Sequence, residues 1–316
     1  MKNIVVIGGK KGIANVLKGI KKYPVNITAI VNTFDSGGSS GILRREFSTL
    51  PFGDIRGALV SLAPNTKDSL LPHLFDFRFK KKGSLQEHSF GNIFLQALTS
   101  VLGNEIKAIQ KASKILNIKG RVLPISLDNA HPHALLENGK VIKGEMNIDV
   151  PKHDGNIKIK KIYLQPMARI YKKSRDAILK ADFIIIGPGD LYTSILPNVL
   201  VDGFSDAIKK TKAKIVYITN IMTKWGETND FEASDFVNVL LKYLKKKKID
   251  FIICNSKIPK ISMIKKYAKA KAIPVVMDYD KLKKYAKKII FQDVIFQFNI
   301  IKHHPEKLAK ILINLL

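Results

Sequence analysis

Short, uninterrupted apolar runs alternate with longer amphipathic stretches along most of the chain. The apolar runs predict strands at residues 4–7, 27–31, 121–125, 183–186, 215–218, 251–254 and 273–276. The stretches between them predict helices at residues 12–22, 90–102, 105–116, 172–180, 200–210, 231–244 and 261–270. Strands that are apolar at every position are buried on both faces, so the pattern predicts a doubly wound α/β fold with a mainly parallel sheet. Such a fold binds its ligand at the carboxyl ends of the strands.

One region breaks this alternation. Residues 133–164 contain short extended segments on either side of an Asn138-Gly139 pair, which is a strong signal for a β-hairpin. We therefore expect a small antiparallel β insertion at the edge of the main sheet. No internal repeat or low-complexity linker divides the chain, so residues 1–316 are predicted to form a single domain that carries this insertion.

The chain is strongly basic, with a formal net charge of +28. Only seven of the 54 basic residues are Arg, the side chain suited to bidentate contacts with phosphates and bases. The Lys residues are spread over segments that read as helices, among them residues 260–271 and 281–288. A solvated basic surface explains this better than nucleic-acid binding, which would predict strongly salt-dependent affinity. Attraction to acidic partners stays open.

Cysteine content and hydropathy narrow the class of protein further. The single cysteine, Cys254, excludes an internal disulfide and a thiolate zinc site. No apolar window has the roughly 20 residues of a membrane span, and the amino terminus has no signal-peptide core, so a cytoplasmic protein is expected. His131 and His133 share one strand face, but without a third ligand nearby a metal site there is disfavoured.

Glycine-rich loops follow the first two predicted strands. Gly8-Gly9-Lys10-Lys11-Gly12 lies between a strand and a helix, where glycines let an oxyanion approach the backbone and the helix supplies free N–H groups. The alternative is a glycine turn that serves packing alone. Residues 35–41, Asp-Ser-Gly-Gly-Ser-Ser-Gly, are poor material for a helix or strand and predict a concave array of hydrogen-bond donors, or else a flexible surface turn.

Four more polar segments are predicted at or near the same edge. Asp54 follows Gly53, and capping of a helix over residues 57–62 would be enough to explain it. His88 precedes a helix and is more often a structural hydrogen-bonding group than a catalyst. Residues 187–198 and 220–228 each follow a strand and are rich in glycine, hydroxyl and amide side chains. Each segment taken alone could be explained by a structural role, but together they predict a site for a phosphate-bearing nucleotide ligand.

These segments also carry a resemblance. Residues 31–41, 51–56, 187–201 and 220–235, in that order, resemble the YvcK-type gluconeogenesis factor family, within the wider superfamily of the 2-phospho-L-lactate transferase CofD. The likeness extends from residue 4 to about residue 279. It implies a Rossmann-like fold, binding of a nucleotide-diphosphate sugar such as UDP-N-acetylglucosamine, and a role in carbon metabolism and cell-wall morphogenesis. A protein partner and a homo-oligomer stay open.

The resemblance turns the polar loops into a set of expected nucleotide-binding residues. They are Gly8, Gly9, Lys10, Lys11, Gly12, Asp35, Gly37, Gly38, Ser39, Ser40, Gly187, Gly189, Asp190, Tyr192, Thr193, Ser194, Asn198, Asn220, Thr223, Glu227 and Thr228.

Two departures from the family pattern bear on catalysis. The family's first loop usually reads Gly-Gly-Gly-Thr-Gly, where this chain has Lys10 and Lys11, and its second loop usually has two Asp residues, where this chain has Asp35 and Ser36. A binding and regulatory protein without established catalysis is therefore the leading hypothesis. The alternative is a magnesium-dependent transferase that uses a nucleotide-diphosphate-linked donor, with Asp35 and Asp54 as the carboxylates for metal binding or proton transfer. The residues fix neither a cofactor nor a metal site.

Overall fold

The computed structural model describes residues 1–64 and 69–316, and of Lys10 and Lys11 it describes the backbone alone. The described strands are β1 (Asn3–Gly8), β2 (Asn26–Val31), β3 (Arg121–Pro124), β4 (His131–Leu136), β5 (Val141–Lys143), β6 (Ile159–Gln165), β7 (Phe183–Ile186), β8 (Lys214–Ile218), β9 (Ile249–Asn255), β10 (Ala286–Gln292), β11 (Ile295–Gln297) and β12 (Ile301–His303).

The described helices are α1 (Lys10–Ile20), α2 (Gly38–Phe47), α3 (Gly53–Leu62), α4 (Leu70–Asp76), α5 (Phe90–Leu102), α6 (Glu105–Ile115), α7 (Glu145–Asp149), α8 (Lys172–Leu179), α9 (Leu196–Val199), α10 (Phe204–Lys210), α11 (Ala233–Leu244), α12 (Ile261–Ala268), α13 (Tyr279–Leu282) and α14 (Pro305–Ile313). A π-helical turn, Leu191–Ile195, precedes α9. No helix in residues 1–64 or 69–316 combines the length and the apolar character needed to cross a membrane.

The main sheet has the strand order β10-β9-β8-β7-β1-β2-β3, and the described neighbours all pair in parallel. The chain builds outward from β1 through β2 and β3, then crosses back to β7 and builds outward on the other side. The order therefore reverses between β1 and β7, and this switch point opens a crevice at the carboxyl ends of the two strands. The predicted Rossmann-like, mainly parallel α/β fold is confirmed.

Hydrophobic cores cover both faces of the main sheet. On one face, Val16, Leu17 and Ile20 of α1 pack with Val6 of β1 and with Ala309 of α14. The opposite face packs against α8, α10 and α11, and against the apolar side of a smaller sheet. Each fully buried aliphatic side chain contributes about 1.5–3 kcal/mol of transfer free energy, so the sheet is held firmly between its two layers.

The smaller sheet is antiparallel, with the order β5-β4-β6. Its first hairpin turns at Asn138-Gly139, where Gly139 has a φ of +84°, as the sequence predicted for this pair. Ala134, Leu136 and Ile162 point into the core, so the sheet packs onto the main one. The predicted antiparallel insertion is confirmed, whereas the division of the chain into a single domain stays a prediction.

One predicted strand is wrong. Residues 273–276 form a single bridge, between Met222 and Pro274, and the parallel strand beside β9 is β10. Residues 281–288, which read as a helix, divide between the end of α13, a turn at residues 283–285 and the start of β10. Strand β10 lies at the edge of the sheet and exposes Lys287 and Lys288, so its continuous apolar run is only residues 289–291, shorter than the runs on which the prediction relied.

Two local predictions near the carboxyl edge are also wrong. Residues 35–41 were expected to be neither helix nor strand, yet α2 begins at Gly38. The predicted capping role of Asp54 is wrong because α3 begins at Gly53 with Phe52 at the N-cap position, so Asp54 lies inside the first turn. In both cases glycine begins a helix, because burial of the face beyond it outweighs the low helix propensity of glycine.

Candidate functional site

A cleft of about 900 Å³ lies at the carboxyl edge of the main sheet, at the switch point between β1 and β7. Its described lining comes from the segments that follow β1, β2, β7 and β8, from α3 and α7, and from β12 near the carboxyl terminus. The topology therefore brings together segments that are more than 250 residues apart in the sequence. Its volume falls in the range typical of small-molecule sites.

The first glycine loop connects β1 to α1 at the floor of the crevice. Gly9 is the N-cap residue of α1 and has no side chain to occupy the first-turn N–H groups. Gly12 lies so close to Pro188 that a Cβ atom there would overlap the Pro188 carbonyl group. Gly12 lines the cleft, and it also lets α1 meet the loop after β7. The predicted contacts of Lys10 and Lys11 concern side chains outside the described part of the structure.

The second loop begins with Asp35, whose Oδ1 accepts a hydrogen bond of 3.0 Å from the Gly37 backbone N–H. Gly37 is the N-cap of α2, so a second helix begins at the cleft behind a glycine. Asp35, Gly37, Gly38, Ser39 and Ser40 all line the cleft, and ligand binding by them stays a prediction.

Ser39 also connects α2 to α5. Its Oγ accepts hydrogen bonds from Asn92 Nδ2 at 3.2 Å and from the Ser89 backbone N–H at 3.4 Å. The distance between Ser39 Oγ and Nδ1 of His88 is 3.2 Å. With both lone pairs of the hydroxyl engaged, the Ser39 proton is directed to His88. Asn92 lines the cleft as well, and sequence reasoning did not single it out.

The structure brings the two carboxylates of the transferase alternative to one wall. Asp54 is 7% exposed, and its carboxylate lies against Gly9. A Cβ atom on Gly53 would lie 3.1 Å from Oδ2 of Asp35, so the Asp35 carboxylate packs beside the first turn of α3. Both residues line the cleft. Ser36, which stands where the family pattern has a second Asp, has a structural partner. Its Oγ accepts a 3.0 Å hydrogen bond from the backbone N–H of Met146 in α7.

The third wall follows β7. Gly189 and Asp190 line the cleft, whereas Tyr192, Thr193, Ser194 and Asn198 are buried behind it in the π-helical turn and α9. Among the described atoms, Ser194 Oγ and Asn198 Oδ1 are buried without a hydrogen-bond partner.

The loop after β8 divides in the same way. Asn220 lines the cleft, but Thr223, Glu227 and Thr228 hold the loop together. Thr223 exchanges hydrogen bonds with the backbone of Ile273, and Thr228 Oγ1 accepts one of 2.9 Å from the Lys224 N–H. Binding by these deeper residues stays a prediction.

Lys224 is the centre of a charge cluster beneath the cleft. Its Nζ contacts a carboxylate oxygen of Asp149, of Asp190 at 2.9 Å and of Glu227 at 2.9 Å. Burial alone would lower the pKa of Lys224, but the three carboxylates raise it above its ordinary value. Glu227 is fully buried and also accepts hydrogen bonds of 3.1 Å from the Tyr192 N–H and the Thr193 hydroxyl. The cluster thus joins the loops after β7 and β8.

The same carboxylates have donor atoms within 4.8 Å of one another, which is close enough to hold a metal ion. The Lys224 ammonium contacts all three of them, so the chain itself supplies the cation at this position. Neither Lys224 nor Asp149 was found from the sequence, because their chemistry depends on a pairing across 75 residues.

The cleft as a whole carries mixed charge. Its described cations are Lys18, Arg56, Arg78 and Lys302, and its described carboxylates are Asp35, Asp54, Asp76, Glu145, Asp149 and Asp190. Arg56 pairs with Asp76, and Lys224 pairs with Asp149 and Asp190. Negative ligand groups therefore have cations within the cleft, while Asp35 and Asp54 offer oxygen ligands of the kind that magnesium prefers.

The fourth wall comes from β12 and α12, which sequence reasoning did not assign to the site. Tyr267, Ile300, Ile301, Lys302 and His303 line it. His303 is 6% exposed, and its Nε2 lies 3.1 Å from the carbonyl oxygen of Thr219. Burial lowers the pKa of His303 to about 4, against the smaller opposing effect of this hydrogen bond. The imidazole is thus neutral at physiological pH.

Comparison with known proteins agrees with the fold. The family described as 2-phospho-L-lactate transferase CofD matches residues 4–295. The gluconeogenesis factor of Halalkalibacterium halodurans is 40% identical over 315 residues, which cover 99% of this chain and 96% of that protein. The gluconeogenesis factor of Bacillus subtilis is 39% identical over 315 residues, covering 99% and 98% of the two chains.

A solved structure gives the same result in three dimensions. A crystal structure of a Bacillus halodurans protein superposes with a TM-score of 0.93 at 39% sequence identity, and the match covers 99% of each chain. The chain belongs to the CofD family and, within it, to the gluconeogenesis factor group of YvcK type.

Proposed function

We propose that the chain binds a nucleotide-diphosphate sugar of the UDP-N-acetylglucosamine type in the cleft, and that it acts as a regulatory protein in carbon metabolism and cell-wall morphogenesis. The observation that carries this proposal is the start of two helices at the switch point. Each of α1 and α2 begins after a glycine, Gly9 or Gly37, at the carboxyl end of a neighbouring strand.

Two helix amino termini at one cleft favour a ligand with two phosphate groups. The first-turn N–H groups of a helix donate to phosphate oxygens, and the helix dipole adds about half a positive charge at that end. The N-cap glycines themselves place no side chain over these amides, although the Asp54 carboxylate lies against Gly9 and Asp35 Oδ1 accepts from the Gly37 N–H. Lys18 and Arg78 line the same cleft and supply further positive charge, whereas Arg56 is paired with Asp76. The diphosphate is therefore assigned to the space between the loops after β1 and β2.

The rest of the cleft is large enough for the remainder of such a ligand. The walls after β7, β8 and β12 present an amide at Asn220, an imidazole at His303 and an aromatic ring at Tyr267. These groups suit hydroxyls, amide groups and a flat base better than phosphates. A nucleoside at one end and a sugar at the other, joined by a diphosphate at the glycine loops, use all four walls.

Binding without established catalysis is the better of the two family functions because of Ser36. In the family pattern a second Asp stands here, whereas the Ser36 hydroxyl is taken up by the backbone of α7. A carboxylate at this position could also accept from the Met146 N–H, but it would face Glu145, whose Oε2 lies 3.4 Å from the Ser36 nitrogen. The nearby Glu145 carboxylate thus favours a neutral hydroxyl at residue 36 over a second acid.

Isothermal titration calorimetry with UDP-N-acetylglucosamine, UDP-glucose and GDP tests the proposal. We expect saturable one-site binding of a UDP-sugar, and its affinity should be higher with magnesium present, because Asp35 and Asp54 repel an uncompensated diphosphate. No heat and no thermal stabilisation at millimolar ligand would refute the proposal.

The second candidate is a transferase that uses a nucleotide-diphosphate-linked donor. It is favoured by one observation, the placement of Asp35 and Asp54 on one wall of the cleft. These residues would hold magnesium, which would offset the negative charge of the donor's diphosphate as the bond between its two phosphates breaks and a nucleoside monophosphate leaves. A carboxylate here could also take the proton from an acceptor hydroxyl. The test is turnover of a GDP-linked phospholactate with a deazaflavin acceptor and magnesium, measured for the unmodified chain and for Asp54→Asn. Turnover that is the same in both rejects the assignment.

A further inference from the structure

His303 is held in a single protonation pattern by the end of β8. Its Nε2 lies 3.1 Å from the carbonyl oxygen of Thr219, and a carbonyl oxygen can only accept a hydrogen bond. The proton of the neutral ring is therefore on Nε2. A neutral imidazole carries one ring proton, so Nδ1 has a free lone pair and is an acceptor.

The position of Nδ1 makes this lone pair accessible. His303 lines the cleft, and among the described residues no side chain or backbone group donates to Nδ1. Nδ1 is also absent from the described polar atoms that are sealed from solvent without a partner. The 6% of His303 that is exposed thus opens Nδ1 to the cleft.

We propose that His303 Nδ1 is a specificity-determining acceptor that takes a hydrogen bond from a hydroxyl or an N–H group of the ligand. A fully ionised phosphate group of the ligand has no proton to donate, so Nδ1, on the wall formed by β12 and the end of β8, pairs with the sugar or the base and not with the diphosphate. Asn220, the residue after Thr219, adds a buried Oδ1 without a described partner to the same wall.

This inference rests on the proposed function, because it assigns one end of the ligand that the function requires. It also gives that ligand a direction. The diphosphate lies at the helix amino termini of α1 and α2, and the donor-bearing part lies across the cleft at His303. The depressed pKa of His303, about 4, keeps Nδ1 unprotonated in the whole physiological range.

Two substitutions separate this role from a structural one. In His303→Gln, the side-chain amide reaches the position of Nε2 and can donate to Thr219, but nothing replaces Nδ1. In His303→Asn, the shorter side chain places its oxygen at the position of Nδ1, while the bond to Thr219 is lost. His303→Gln keeps the hydrogen bond to Thr219 and removes the acceptor, whereas His303→Asn keeps an acceptor and removes that hydrogen bond.

The experiment is calorimetric titration of both variants and the unmodified chain with UDP-N-acetylglucosamine, with thermal denaturation measured in parallel. We expect His303→Gln to bind about three- to tenfold more weakly, the effect of one hydrogen bond, and His303→Asn to bind within about twofold of the unmodified chain. A purely structural His303 predicts the opposite order, which would overturn the proposal. Unchanged affinity in His303→Gln would overturn it as well.

A spectroscopic measurement gives an independent readout. In nitrogen-15 spectra of the unmodified chain, Nδ1 of His303 should resonate as an unprotonated imidazole nitrogen and should move toward lower frequency when ligand saturates the cleft. An unmoved Nδ1 signal at saturation refutes the proposal. If the unmodified chain binds no nucleotide sugar at all, the proposed function fails instead, so the two failures are distinguishable.

Discussion

The assignment of the diphosphate to the glycine loops makes a sharp prediction for Gly38. This residue lines the cleft at the first position of α2, has a φ of +46°, and has no atom within 4 Å of where a Cβ would lie. Gly139 has a φ of +84° and equally open space, but it lies at the hairpin turn of the antiparallel sheet. The two glycines thus have matched backbone requirements and differ in their relation to the cleft.

The magnitudes follow from this match. Alanine at a left-handed position costs roughly 1–2 kcal/mol, so Gly38→Ala and Gly139→Ala should destabilise the protein by similar amounts. For binding they should differ. The methyl group at residue 38 enters the cleft, where it displaces a phosphate from amide donors whose charge-assisted hydrogen bonds contribute about 1.5–3 kcal/mol. We therefore expect Gly38→Ala to weaken binding by roughly 10- to 100-fold.

The assay is calorimetric titration with UDP-N-acetylglucosamine, together with urea denaturation of each variant without ligand. Gly139→Ala corrects for the backbone effect and should bind as the unmodified chain does. If the two variants bind with the same affinity, the diphosphate does not lie against α2, and the reasoning from helix amino termini is refuted.

Three further predictions concern stability. His303 has a folded pKa of about 4, below its ordinary value of 6.5, so its contribution to the free energy of unfolding is complete above pH 6.5 and is lost as the pH falls toward 4. We expect pH-dependent urea denaturation of the unmodified chain to show this loss, about 3 kcal/mol, and that of His303→Gln to lack it. Lys224→Met should destabilise the fold by about 3 kcal/mol in urea denaturation, since buried Glu227 loses its cation; an unchanged midpoint would contradict this. Gly12→Ala should lower the melting temperature, because the overlap with Pro188 costs about 1–3 kcal/mol. Gly57→Ala, inside α3 with open space at its Cβ, should raise the melting temperature, because it adds about 0.5–1 kcal/mol of stability. Equal shifts in the two variants would refute the packing argument.

The sequence predicted the strands of the main sheet well, including β3 at one edge, and missed only β10 at the other edge among the described strands of this sheet. The central strands β1, β7 and β8 are buried on both faces, so each must be a continuous apolar run and is recognised as one. The edge strand β10 is half exposed and carries two lysines, and its apolar content is no higher than that of a helix. The stretch at residues 273–276 is as apolar as a central strand, but Pro274 limits it to a single bridge.

The candidate site was predictable wherever one loop carries the chemistry. The loops after β1 and β2 meet because parallel neighbours end at the same edge, and that follows from the strand pattern alone. His303 and Lys224 could not be found in this way. The imidazole acquires its role from the Thr219 carbonyl, 84 residues away, and the ammonium acquires its role from three carboxylates on separate segments. Such roles depend on tertiary contacts, for which a single sequence has no signal.

The glycines of the cleft show that one motif can have two separate causes. Gly12 is required by packing, since any side chain there meets Pro188, while Gly38 faces open space and is required by its φ and by whatever lies in the cleft. A glycine-rich loop therefore does not by itself indicate ligand contact at each of its positions. The distinguishing quantity is the space at Cβ: where the protein fills it, the glycine serves the fold, and where the space is open and lines the cleft, the glycine is available to a ligand. By this criterion Gly38 is the better probe of the diphosphate, and Gly12 is the better probe of the junction between α1 and the loop after β7.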